Sequence, residues 1–158
     1  MTRTGIGYDS HRLVPGRLLI LGGQRIPFDK GLAGHSDADV VAHAVTDALL
    51  GAAAAGDIGH LFPDSDPRWK GANSIALLRA ACAHLRERGY RADQADVTVI
   101  LERPKLAPHL GAMAEALAGA MGVPASAVSV KAKTNEGMGF IGRGEGIAAI
   151  AVATVEVL

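Results

Sequence analysis

The sequence predicts an α/β (α+β) fold: a single mixed sheet with helices packed on one face. Three observations carry that prediction. Segments of strand and helix character alternate along the 158 residues, which sets helices against a sheet. Three segments, 39–54, 73–88 and 108–121, have helical apolar spacing, enough to cover one side of a sheet. The final strand, Gly146–Val157, contains Ile147-Ala-Ala-Ile-Ala-Val-Ala153 and is apolar on both faces, so both faces are expected to be covered. In a domain this small the second face would meet another subunit, so a homo-oligomer with inward-facing sheets is expected.

The elements follow in order. Thr2–Asp9 reads as a first strand. Leu18–Leu21 and Gln24–Phe28, joined through Gly22-Gly23, read as a hairpin. Asp29–Asp37 reads as a loop, with Ser36 or Asp37 as N-cap of a helix that starts near Asp39 and ends before Gly56. Gly59, Pro63 and Pro67, with Asp57, Asp64 and Asp66, mark 57–71 as loop. Ile75, Leu78, Cys82 and Leu85 give a helical stripe over 73–88, closed by Gly89. Asp96–Glu102 reads as a strand, Pro108–Met121 as a helix stopped by Gly122 and Pro124, and Val128–Lys133 as a strand. Thr134–Glu145, with four glycines, reads as a functional loop or bulged strand before the last strand.

Bulk properties narrow the function. Sixteen basic and sixteen acidic residues cancel, and no basic stripe is present, which argues against nucleic acid as a partner. At this length the chain buries roughly 68–70% of its extended surface and needs no disulfide, and one domain over 1–158 is expected. Its single cysteine, Cys82, reads as a small buried apolar residue in a reducing compartment. Thr2-Arg3-Thr4 leads into no apolar signal region, and no window approaches the ~20 apolar residues of a membrane span. A soluble, cytoplasmic protein is expected, with no membrane partner.

Chemistry concentrates at three places. Asp9 and His11 are two apart, so on a strand both leave the same face. His43 lies in a helix that is otherwise small and apolar, on a polar stripe of Asp39, His43, Thr46 and Asp47. Two imidazoles and a carboxylate suit zinc with an open fourth position, and also suit iron or manganese. Asp47 is a candidate to orient the His43 ring. The alternative is a hydrogen-bonded core histidine beside a strand-end pair. His60, His84 and His109 lack matching neighbours. Gly34-His35-Ser36-Asp37-Ala38-Asp39 runs into a helix start and serves either as plain capping or as an anion site. Lys131 to Gly144 offers Lys, Thr and backbone amides to phosphate, with Glu136 as a ligand for Mg²⁺. It matches neither a P-loop nor a dinucleotide fingerprint. The turn Arg103–Pro108 is stiff enough for a flat base. No Ser or Cys nucleophile with a base stands out, which fits a substrate that carries its own nucleophile.

Taken in order, Gly5-Ile-Gly-Tyr-Asp9-Ser-His11, Gly34-His-Ser-Asp-Ala-Asp-Val-Val-Ala-His43, Thr46-Asp-Ala-Leu-Leu-Gly-Ala-Ala53, Gly56-Asp-Ile-Gly59, Phe62-Pro-Asp-Ser-Asp66 and Gly142-Arg-Gly-Glu-Gly146 closely resemble the 2-C-methyl-D-erythritol 2,4-cyclodiphosphate synthase family over essentially the whole chain. The resemblance implies a lyase-type cyclase of the non-mevalonate isoprenoid pathway. It would turn 4-diphosphocytidyl-2-C-methyl-D-erythritol 2-phosphate into the cyclodiphosphate and CMP. The implied catalytic set is Asp9, His11, His35, His43, Thr134 and Glu136. Asp9, His11 and His43 would hold Zn²⁺, and Glu136 would hold Mg²⁺ or Mn²⁺ between the phosphates. His35 and Ser36 would contact phosphate, and Asp57 and Gly59 the methylerythritol hydroxyls. Phe62, Pro63, Asp64, Ser65 and Asp66 would form a mobile loop over that moiety. Leu101, Pro104, Lys105, Leu106, Ala132, Lys133 and Thr134 would line the cytidine diphosphate pocket. A homotrimer with active sites between subunits is implied, with Phe140 and Arg143 near a central cavity that takes an isoprenoid diphosphate. Lys133 stands where the family often has Thr, and Gly137 where it often has Lys, so altered nucleotide affinity is expected. Two other readings stay open: a zinc-dependent phosphoesterase, which would release inorganic phosphate, and a non-catalytic trimeric module binding diphosphate metabolites.

Overall fold

The computed structural model describes residues 1–158. Its main sheet has five strands: β1 (Thr2–Pro15), β4 (Lys30–Leu32), β5 (Tyr90–Ile100), β6 (Val128–Lys133) and β7 (Gly146–Val157). They lie in the order β4-β1-β7-β5-β6. The β1–β4, β1–β7 and β5–β7 pairs are antiparallel and β5–β6 is parallel, so the sheet is mixed as expected. β2 (Leu19–Leu21) and β3 (Gln24–Ile26) form a separate hairpin. Gly22 and Gly23 turn it with φ of 56° and 74°, the two positive values that a tight hairpin turn of this hand requires. Helices α1 (Val40–Ala52), α3 (Ser74–Glu87) and α4 (Leu110–Met121) are the three anticipated, joined by two four-residue turns of helix, α2 (Ile58–Leu61) and α5 (Gly139–Gly142).

Several boundaries differ from the sequence reading. The first strand runs on to Pro15, so Asp9 and His11 sit within it, because β7 pairs with it as far as Arg12 and β4 with its last three residues. The stretch read as loop after Asp29 contributes β4. β5 begins at Tyr90, right after the Gly89 turn, and not at Asp96. The cap of α1 is Asp39, not Ser36 or Asp37. Its carboxylate accepts from the N–H groups of Val41 and Ala42 and also from those of Gly22 and Gly23 (2.7–3.2 Å), tying the hairpin to the helix start. Burial pushes this carboxyl up to about 6 against the pull of those N–H donors, with the nearby Asp37 charge adding to the rise.

The two faces of the sheet differ. On one, Ile147, Ala149, Ala151, Ala153 and Val155 of β7 are buried in the core with α1 and its neighbours. On the other, Ile6 is paired with Val152 and Tyr8 with Ile150, and all four are exposed in the single chain. The expectation that both faces of β7 are covered therefore holds within one chain only for the helix side.

What fixes α1 against β1 is the absence of side chains. A Cβ on Gly5 would lie 2.0 Å from the Ala48 carbonyl oxygen, and one on Gly7 1.9 Å from that of Ala44. Gly5, Gly7, Asp9 and His11 alternate onto the same face of β1. The helix therefore rests on the two glycines, and His43, one residue before Ala44, comes down beside the next two side chains of that face. Gly7→Ala is expected to cost about 3 kcal/mol or more, the upper range for overpacking against a backbone that has nowhere to go. Thermal unfolding of the variant beside the parent checks this; an unchanged midpoint would contradict the tight approach.

Candidate metal centre and substrate cavities

The three metal-ligating candidates converge. Asp9 Oδ2 lies 2.8 Å from His11 Nε2 and 2.9 Å from His43 Nδ1, and the two ring nitrogens are 3.4 Å apart. Asp9, His11 and His43 form a His/Asp cluster with one ligand atom each within 4.8 Å of the others. A tetrahedral ion with bonds of about 2.0–2.1 Å separates its ligand atoms by about 3.3 Å. The nitrogen pair already has that spacing, and the carboxylate oxygen needs a shift of a few tenths of an ångström. The proton inventory fits as well. His11 Nδ1–H donates to the Ala33 carbonyl (2.9 Å), which leaves Nε2 to face the cluster. The donor set therefore fits a divalent ion, with the fourth side open to a cavity of about 370 Å³ that Asp9, His11 and His43 all line. In metal-free protein burial works against the Asp9 charge, but hydrogen bonds from the two imidazoles, whose inner nitrogens carry protons that ligation would displace, outweigh it and hold the carboxyl at about 2. Burial lowers His11 too, yet its bond to Asp9 and that charge win and raise it.

Around this cluster the structure gathers part of the expected substrate set. His35, Ser36, Gly59, Phe62 and Asp64 line the same cavity, together with Ile58, Trp69 and Leu77, which the sequence did not flag. Phe62 is buried and meets Trp69 edge-to-face at 5.0 Å, so this loop is packed down onto the core. Four expected contacts lie elsewhere. Asp57 caps α2 through the His60 N–H, Asp66 caps the turn at Pro67 and pairs with Arg68, and Pro63 and Ser65 do not line the cavity. His35 Nε2 donates to the Asp66 carbonyl (3.3 Å), joining the two halves of the rim. Asp47 does not orient His43: its carboxylate accepts from the Ile58 N–H (2.7 Å), while the far nitrogen of His43 faces Ser74 Oγ (2.7 Å) and Ser36 Oγ (3.2 Å). The i, i+4 spacing was right, but the ring turns toward α3.

A second cavity, of about 260 Å³, is lined by Leu101, Pro104, Lys105, Leu106, Ala132, Lys133 and Thr134, all seven of the residues expected for the nucleotide, plus Glu102 and Ala107. It shares no lining residue with the metal cavity. Beside it the turn carrying Glu136 is held by Glu102, whose carboxylate accepts from the Asn135 and Gly137 N–H groups (2.7 and 2.9 Å). Glu136 is exposed, has φ of 54°, and stands outside the metal-ligating cluster. Phe140 and Arg143 line two further small cavities, and Arg143 pairs with Glu145 (2.9 Å). His60, His84 and His109 line none of these sites; Cys82 is buried, its thiol pushed up to about 11 by that burial. No helix is long and apolar enough to cross a membrane.

A mixed sheet carrying a His₂–carboxylate cluster at the mouth of a cavity defines an α/β protein with a candidate metal site. The YgbB family model matches residues 2–156, and the chain belongs to that family. A curated relative from Moorella thermoacetica, named 2-C-methyl-D-erythritol 2,4-cyclodiphosphate synthase, is 60% identical over 150 residues, 95% of this chain and 92% of its own. A solved structure of the same synthase in a CDP-bound form superposes with a TM-score of 0.89 at 44% identity, covering 98% of this chain and all of that one. The bifunctional IspDF of Campylobacter jejuni superposes at 0.95 with 41% identity; it covers all of this chain, which spans 43% of that longer one.

The raised His11 value sets a pH dependence in metal-stripped protein. Its proton stabilises the fold fully below the unfolded value of about 6.5, and that contribution is lost as pH rises through the higher folded value. With zinc present the trend reverses over the same window, because ligation needs the neutral ring. Melting midpoints against pH, with chelator and with zinc, are expected to show opposite slopes; parallel slopes would mean that His11 does not ligate.

Proposed function

We infer that this chain is a cyclase of isoprenoid precursor biosynthesis, acting as one domain over 1–158. It converts 4-diphosphocytidyl-2-C-methyl-D-erythritol 2-phosphate to 2-C-methyl-D-erythritol 2,4-cyclodiphosphate and CMP. The observation that carries this reading is the convergence of Asp9, His11 and His43 on a cavity whose rim holds His35, Ser36, Gly59 and Asp64. The curated relatives named for this synthase support the reaction, and the CDP-bound synthase supports a cytidine diphosphate moiety in the Leu101–Leu106 and Ala132–Thr134 cavity.

In the reaction an oxygen of the 2-phosphate attacks the β-phosphorus, the bond from that phosphorus to the CMP oxygen breaks, and CMP departs with the electron pair. Nucleophile and electrophile belong to one molecule, so the protein chiefly folds the substrate back and offsets its charge. Such orientation is worth roughly 7–11 kcal/mol. Asp9, His11 and His43 would hold a zinc ion, which would supply Lewis acidity. Ser36 Oγ accepts the Ala38 N–H (3.1 Å), and its own hydroxyl proton serves a phosphate oxygen. Thr134 and Lys133 serve the diphosphate, and Glu136 would hold Mg²⁺ or Mn²⁺, which would offset phosphate charge. The Lys133 ammonium adds a charge at this pocket, offset by the missing cation at Gly137. His35, already at the cavity, contacts a phosphate oxygen with Ser36, and Asp57, Pro63, Ser65 and Asp66 act at the methylerythritol end once the 57–71 loop rearranges around substrate.

The two cavities have no wall in common, which supports an assembly in which one subunit's metal cavity meets the nucleotide cavity of its neighbour. The open face with Ile6, Tyr8, Ile150 and Val152 supports a homotrimer closed by those strands, with Phe140 and Arg143 toward its centre and an isoprenoid diphosphate as a ligand there. We assign the protein to the cytoplasm.

Incubation with the cytidyl substrate, Zn²⁺ and Mg²⁺, read by mass spectrometry, is expected to give CMP and the cyclic diphosphate. Release of inorganic phosphate without the cyclic product would favour a phosphoesterase, and no turnover a binding module. His43→Ala is expected to lose zinc and nearly all turnover. Glu136→Ala is expected to keep its zinc while losing most of the Mg²⁺ dependence, as metal analysis and a Mg²⁺ titration of the rate will register.

A further inference from the structure

The His43 ring is held from behind by a chain of groups that ends on a carboxylate. Its Nε2 lies 2.7 Å from Ser74 Oγ, and Ser74 Oγ makes a short hydrogen bond to Asp37 Oδ1. Ser74 is fully buried at the first position of α3, and Asp37 Oδ2 also accepts its N–H (3.0 Å). Proton bookkeeping gives this chain one direction. An ionised Asp37 has no proton to give, so the bond between Ser74 and Asp37 takes the serine proton. Ser74 Oγ can then only accept from His43, so Nε2 carries the hydrogen. That fixes the tautomer and leaves the Nδ1 lone pair aimed at Asp9 Oδ2 and His11 Nε2, 2.9 and 3.4 Å away.

We propose that Ser74 and Asp37 are positioning residues for the metal centre: a carboxylate–hydroxyl–imidazole relay that locks the His43 ring and raises the basicity of its Nδ1 toward a divalent ion. The proposal rests on the reading of Asp9, His11 and His43 as metal ligands. Groups that orient a ligating histidine from its far nitrogen set metal affinity as well as geometry, and their loss typically costs about 10–100-fold. Here the carboxylate acts through a serine and not by direct contact. The relay also explains why the Gly34–Asp39 loop and the start of α3 are drawn together at this point. Asp37 Oδ1 additionally accepts the Asp39 N–H (3.1 Å), so the carboxylate binds both segments at once. Ser36 Oγ, 3.2 Å from the same nitrogen, is a weaker substitute acceptor because it already accepts from Ala38.

The test is a zinc competition against a chromophoric chelator, run on the whole protein with Ser74→Ala, Ser74→Thr and Asp37→Asn, beside melting midpoints of the metal-stripped forms. Asp37→Asn keeps the shape and an acceptor oxygen but removes the charge. Both Ser74→Ala and Asp37→Asn are expected to raise the zinc dissociation constant about tenfold or more. Ser74→Thr, which keeps the hydroxyl, is expected to restore the parent value. In Co²⁺-loaded protein the visible absorption bands are expected to shift in Ser74→Ala and Asp37→Asn and not in Ser74→Thr. Unchanged zinc affinity in Asp37→Asn and Ser74→Ala, with only their melting midpoints lowered, would overturn the relay and leave a merely structural contact. If Ser74→Ala does not fold, Asp37→Asn decides by the same readout. A parent protein that binds no zinc would overturn the metal reading itself and the relay with it, an outcome distinct from equal binding by parent and variants.

Discussion

Everything at the metal cluster depends on how closely α1 lies against β1. Strand and helix backbones normally stand apart by the thickness of the side chains between them. Here Gly5 and Gly7 contribute none, and Ala44, Ala48 and Ala52 contribute little, so helix carbonyls sit where strand side chains would otherwise be. Packing that tight has one register. A helix shifted by a residue would carry the His43 ring away from Asp9. The same contact that buries apolar surface therefore sets a ligand separation that an ion can use, and stability and site geometry have a common origin.

The polar stripe on α1 shows how such a helix tolerates charge in the core. Asp39 is fully buried but surrounded by backbone N–H donors, Thr46 Oγ1 donates to the Ala42 carbonyl of its own helix (2.7 Å), and His43 is bracketed by hydroxyls behind and a carboxylate in front. Each group is satisfied locally, as burial demands. The one whose satisfied arrangement still leaves lone pairs facing one another is the cluster of Asp9, His11 and His43. A cation would relieve that crowding, which is a physical reason for a metal ion to be held there.

The remaining chemistry is split between places that one chain does not join. The cavity at the Asp9, His11 and His43 cluster is framed by β1, α1 and the 57–71 loop, whereas the second cavity lies where β5 and β6 end side by side. Parallel pairing of β5 and β6 brings Ile100 opposite Lys133, so the two segments that follow, Leu101–Leu106 and Thr134 onward, necessarily share a pocket. Glu102 then fixes the Glu136 turn from across that pocket. An apolar patch stays open on the far face of the sheet, because three helices cover only one face of a domain this small.

Much of this was legible in residue order. The three helices, the Gly22-Gly23 hairpin and the strands Val128–Lys133 and Gly146–Val157 follow from local periodicity and turn chemistry, which act over a few residues and need no partner. Asp9 and His11 were placed by the strand's alternation alone, and the ordered motifs named the family. Other features required the folded chain. β4 exists only because β1 offers it an edge. Asp39, and not its neighbours, caps α1 because the hairpin glycines reach the same carboxylate. The ring of His43 turns to Ser74 and away from Asp47 because α3 packs where it does, thirty-one residues later in the chain. Sequence spacing fixes what lies along one element, whereas the partners of a buried polar group are chosen by whichever element lands beside it.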